Sequence, residues 1–121
     1  MLNNVCIQGR LTADPELRKT TSDVPVSQIR IACDRDYKDK STGEKKTDFI
    51  TVVLWRNDAL FVTERFKKGD VILVQGRLAT RDYTDKNGNN RTAIEIQAEN
   101  VWFPGSARRA AEQDIPETTE A

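Results

Sequence analysis

One segment of this chain breaks the pattern of all the others. In NDALFVTERFKKGD, residues 57–70, Ala59, Val62 and Phe66 recur at helical spacing. Asn57 or Asp58 can cap its start, and Lys67-Lys68-Gly69 is a stop signal, so the segment predicts a short helix. The apolar stretches on either side alternate instead. NVCIQGRL places Val5, Ile7 and Leu11 on one parity. VSQIRIACDR sets Ile29, Ile31 and Cys33 against Gln28, Arg30 and Asp34, and DFITVVLW follows as a third strand. After the helical segment comes VILVQGRL, rich in β-branched residues, and then RDYTDKNGNNRTAIEIQA, two arms around Asn87-Gly88. TADPELRKTTSDVP reads as a polar loop, residues 36–48 as a charged hairpin loop, and NVWFPG as the close of the ordered body.

The order is therefore three strands, one short helix and two strands. A single helix between strands 3 and 4 of an all-β chain is the layout of the five-stranded Greek-key OB barrel. An immunoglobulin-like sandwich would need about seven strands and no such helix. With 121 residues, one domain is expected, spanning 1–105, followed by a short acidic tail over 106–121. That tail, SARRAAEQDIPETTEA, has few apolar residues and is expected to be disordered.

The inventory narrows the chemistry. There is no histidine, which removes Ser-His-Asp and Cys-His catalysis and any His-containing zinc site. Cys6 and Cys33 are too far apart in sequence for C-x-x-C chemistry and read as small buried or half-buried apolar residues. No glycine-rich phosphate loop occurs. An enzyme is not expected, nor a cofactor or metal. No apolar run approaches a membrane span, and the start MLNNVCIQGR lacks a signal-peptide layout, so a cytoplasmic protein is expected. Basic and acidic side chains balance at 19 each, but unevenly. In 106–121, Arg108 and Arg109 face four carboxylates, so residues 1–105 carry the compensating positive excess that an anionic partner would meet.

The third strand carries the main functional clue. Ile50, Val52 and Leu54 can line the barrel, which leaves Phe49, Thr51, Val53 and Trp55 outside. Two large rings on an outer face suit stacking of nucleobases, worth about 1–3 kcal/mol per base in any sequence. The plain alternative is that a helix, a loop or another subunit covers them. Tyr37, among Arg35, Lys38 and Lys40, and Tyr83, close after Arg81, lie in loops able to reach over the same sheet. Cations interleaved with rings grip phosphates and bases together.

These stretches resemble the bacterial single-stranded DNA-binding protein (SSB) family across residues 1 to about 104. The resemblance is carried by MLNNVCIQGRLTADPELR, VSQIRIACDRDYKDKSTGEK, TDFITVVLW, ERFKKGDVILVQGRLATRDYTDKNG and IEIQAENVWF. The leader MLN before V-x-I-x-G-R-L is similar to members from Gram-positive bacteria or their phages. The resemblance implies sequence-independent coating of single-stranded DNA during replication, recombination and repair. It places the base-stacking positions on Tyr37, Phe49, Trp55 and Tyr83, and phosphate contacts on Lys40, Lys46, Lys68 and Arg81. Charge and placement add Arg18, Lys38, Arg56 and Arg77. The basic cluster beside the hairpin aromatic is thinner than in well-known members, with Ala79 and Asp82 in place of cations. The resemblance also implies a homotetramer, with NNVCIQG as the dimer edge. The terminal Pro-Phe with which cellular members recruit replication and repair proteins is missing, so recruitment through the tail is not expected, and a plasmid, phage, specialised or truncated member fits. Two rivals stand beside this reading. One is a primosome-type relative acting mainly through protein contacts, and the other a small OB-fold nuclease, which would need clustered carboxylates around a divalent ion.

Overall fold

The computed structural model describes residues 1–104; the expected tail over 106–121 lies outside the described residues. Its elements are β1 (Val5–Leu11), β2 (Arg18–Lys19), β3 (Pro25–Lys38), β4 (Lys45–Trp55), α1 (Asn57–Arg65), β5 (Val71–Thr84) and β6 (Asn90–Trp102). The sheet runs β1-β5-β6-β4-β3-β2, and β3 returns to β1 through Arg10 opposite Ala32 and Leu11 opposite Ile31. That last pairing closes five long strands into a barrel, with the two-residue β2 hung on the edge of β3. Every pairing is antiparallel except β4 with β6, where Thr51, Val52 and Val53 meet Glu95, Ile96 and Gln97. Closure, one parallel pair and a single helix after the third long strand define the OB fold.

Alternation builds the core. Leu11, Ile29, Ile31, Val52, Leu54, Ile72, Val74 and Ile96 point inward from their strands, and Ala59 and Val62 of α1 plug one end. Phe66 completes the plug at 2% exposure, its ring edge-on to Phe61 and Phe103 at 5.8 and 5.1 Å. Burying such a ring contributes about 1.5–3 kcal/mol. Phe66 itself lies one residue past the helix, in extended backbone that donates its N–H to the Val62 carbonyl. Where β5 crosses β6, a bulge falls between Gln75 and Gly76, and a side chain at Gly76 would run into the Gln97 carbonyl.

Three local expectations are corrected, and one further residue faces as expected but is covered. The helix is capped by neither Asn57 nor Asp58: Arg56 holds the cap position at φ 57°, without a side-chain bond. Residues 36–48 are mostly ladder, because β3 runs to Lys38 and β4 starts at Lys45, leaving a turn closed by Asp39 and Glu44. Cys6 is exposed, since β1 shows its even positions to solvent, whereas Cys33 is half-buried. Val53 faces outward yet is 7% exposed, being flanked in register by Gln28 and Gln97.

Candidate nucleic-acid interface

Register partners share a face of a sheet, so the ladders alone assemble the site. On β4, Phe49, Thr51, Val53 and Trp55 stand in one row. Beside them on β3 lie Ala32, Arg30, Gln28 and Val26; on β6, Glu95 and Gln97; and on β5, Ala79 and Arg77. The same parity continues up the β5–β6 hairpin to Arg81 and Tyr83. The result is one continuous outer face four strands wide. Its rings are open to solvent, with Phe49 53% exposed and Trp55 40%.

Three contacts organise these rings. The Arg30 guanidinium lies 4.7 Å from the Phe49 centroid, within cation–π range. The Trp55 indole Nε1–H donates to Gln97 Oε1 at 2.7 Å. The Arg81 guanidinium stands 5.5 Å from the Tyr83 centroid while donating to both Glu95 oxygens at 3.3 and 3.4 Å. Glu95 is buried, its side chain 5% exposed against 50% for Arg81. A buried carboxylate in contact with a half-open arginine offsets part of that arginine's positive charge.

The two tyrosines stand on the hairpins, outside the barrel. Tyr37, 70% exposed near the end of β3, borders a concavity of about 430 Å³ with Arg35, Lys38, Asp39, Lys40 and Lys46. Arg35 is tied to Asp48 by two bonds of 3.0 Å, and Lys46 approaches Asp39 at 3.5 Å. Tyr83, 43% exposed, borders a second concavity of about 460 Å³ with Asp82, Thr84, Asn90, Arg91 and Thr92. Asp82 points away from Arg81 and Tyr83 by alternation and accepts from Thr92 Oγ1 at 3.0 Å.

The remaining expected cations divide. Arg77 lies on the face, opposite Gln97, and Arg18 sits beside Val26, the register partner of Trp55. Arg18 also lines a concavity of about 380 Å³ with Asp14, Glu16 and Gln28 at that end. Lys38, Lys40 and Lys46 cluster on the β3–β4 hairpin around Tyr37. Arg56 and Lys68 stand off the ladder: Arg56 bonds the Pro25 carbonyl through its own N–H at 2.8 Å, and the Lys68 N–H donates to Asp14 Oδ1 at 2.8 Å. Sequence reasoning missed Arg30, Gln97 and Arg91. The alternation of VSQIRIACDR had put Arg30 outside, and that was its signal. Arg91 was signalled by the hairpin around Asn87-Gly88, which sets it opposite Tyr83, whereas Gln97 had no signal, because its role depends on β6 lying beside β4. Among the described residues, no group of three His, Cys, Asp or Glu side chains could hold a metal ion, and no helix is long and apolar enough to cross a membrane.

A small OB barrel with open rings and arginines across four strands belongs to the class that uses its sheet face as a platform. Comparison with known proteins names the family. Residues 2–104 match the model of the single-strand binding protein family, and the chain belongs to it. It is 42% identical over 103 residues to the single-stranded DNA-binding protein of Caldanaerobacter subterraneus subsp. tengcongensis, covering 85% of this chain and 68% of that one. It is 44% identical over 103 residues to single-stranded DNA-binding protein A of Bacillus subtilis, and 43% identical over 100 residues to a single-stranded DNA-binding protein of Streptococcus pneumoniae. These alignments cover 85% and 83% of this chain, but 59% and 64% of the relatives' own length.

Proposed function

We propose that this protein binds single-stranded DNA without regard to sequence and coats it during replication, recombination and repair. The observation that carries the reading is the pair Phe49 and Trp55, open on one outer face with Arg30 and Gln97 fixing their surroundings. Unpaired bases stack on the rings, and duplex DNA, whose base faces are hidden, does not. Tyr37 and Tyr83 extend the path onto the hairpins. Arg18, Lys38, Lys40, Lys46, Arg77 and Arg81 take phosphates along it, while Arg56 and Lys68 meet the strand only at its margins. The binding is non-catalytic and uses no cofactor or metal.

Assembly belongs to the same proposal. Along Val5–Gly9, β1 pairs with β5 on one side only, since β3 meets β1 at Arg10 and Leu11 alone. An open edge of this kind suits pairing with a second copy, in keeping with a homotetramer. Docking to a replication helicase as the main role is not favoured, because all four aromatic positions are retained.

The test is tryptophan fluorescence during titration with oligo-dT at several salt concentrations, beside a duplex of equal length. Quenching by oligo-dT that weakens as salt rises, with a roughly −0.7 slope per phosphate, is expected. Equal binding of duplex, or none of oligo-dT, overturns the reading.

A further inference from the structure

We propose that Gln97 is a positioning residue for base stacking, one that holds the Trp55 indole in place before a strand arrives. The inference rests on reading this face as the single-strand platform. Trp55 is the last residue of β4, and the chain leaves the sheet at Arg56 with φ 57°. The ring is 40% exposed, so packing alone leaves it room to move. Its one described polar contact is the 2.7 Å bond to Gln97, 42 residues away on β6. An indole N–H only donates, so the Gln97 atom facing it must be the carbonyl oxygen. Gln97 is itself seated: it is half-buried, with Val53 and Arg77 as register partners on either side. A ring fixed beforehand loses less freedom when a base stacks on it, which raises affinity without adding any contact to DNA. Glu95, two residues earlier on the same face, holds Arg81 beside Tyr83 in a like manner. Thus β6 contributes acceptors while its neighbours carry the rings.

Measurements on the full chain test this. The Gln97→Leu variant keeps side-chain bulk and neutrality but removes the acceptor. Its loss of oligo-dT affinity should be ~3–10-fold, the value of one neutral hydrogen bond. Affinity for an abasic strand of equal length should be unchanged, since phosphates alone hold it. In a Trp55→Phe background, which keeps a ring but no N–H, Gln97→Leu should have no further effect. The Trp55 indole N–H resonance should shift and exchange faster with water, while the thermal midpoint stays put. Where leucine lowers that midpoint, Gln97→Ala runs the same cycle. An equal loss on the abasic strand, an equal loss in the Trp55→Phe background, or an unmoved indole resonance overturns the proposal. If the unaltered protein binds oligo-dT no better than the abasic strand, the stacking reading itself fails, which is a separate result.

Discussion

The guanidinium of Arg30 on β3 lies 4.7 Å from the ring centroid of Phe49 on β4, so a cation and a stacking surface occupy one spot. Arg30→Met should weaken oligo-dT binding by up to about 0.5–1 kcal/mol, because the cation–π contact no longer holds the Phe49 ring in place before a base stacks on it. If Arg30 also reaches a phosphate, the salt slope becomes shallower by roughly 0.7. Fluorescence titration at several salt concentrations checks both, and an affinity equal to the unaltered protein's would remove Arg30 from the site.

Phe49 and Trp55 stand outside the core, at 53% and 40% exposure. Phe49→Ala and Trp55→Ala should therefore each weaken oligo-dT binding by about 1–3 kcal/mol and leave folding intact. Phe49→Ala can be followed by intrinsic fluorescence; Trp55→Ala needs a labelled oligonucleotide. A folded double variant with unchanged affinity would refute the assignment.

Glu95 is buried against Arg81 at 3.3 Å and withholds part of that arginine's charge from an incoming strand. Glu95→Gln keeps an acceptor in place and releases the charge. The slope of log affinity against log salt should steepen by roughly 0.7, with tighter binding at low salt. A slope that stays the same in a folded variant would mean that Arg81 meets no phosphate.

The hairpins should lose grip in acid. Hydrogen bonds from Arg35, helped by its charge, hold the Asp48 carboxyl below its ordinary 3.8. Asp34 is lowered by Thr47 and then Arg10, Asp39 by Ser41, and Asp85 by the Asn89 backbone N–H and then Arg91. Because the folded carboxyls release their protons more readily than the unfolded ones, their stabilisation is complete above the ordinary value. It disappears as pH falls through the lowered folded values. The thermal midpoint should hold steady down to about pH 5 and drop below about pH 4. Arg35→Ala should bring the NMR titration of Asp48 up toward 3.8; no movement would break the link between the two groups.

Much of this was legible in the amino-acid order. Alternation in DFITVVLW separated Val52 and Leu54, which are fully buried, from Phe49 and Trp55, which are not. Asn87-Gly88 marked its turn, where Gly88 takes φ 83°. What stayed hidden depends on partners distant in sequence. Charged residues 36–38 and 45–48 extend β3 and β4 because pairing with the opposite arm outweighs their low strand preference, a tertiary effect. Arg56 caps α1 because its N–H is tied to Pro25, although two better capping residues follow it. Gln97 finds Trp55 only once β4 and β6 run side by side. Cys6, grouped by its small size with interior residues, is turned outward by the same alternation that buries Leu11.

The pleat of β4 has an evolutionary corollary. Sliding that strand by one residue would drive Phe49 and Trp55 inside and push Ile50 and Leu54 out, ruining the hydrophobic interior and the contact surface in one event. Selection for a well-packed barrel therefore guards the aromatic display as a by-product, and insertions within 49–55 should be purged even in a host that has little need of the bound strand.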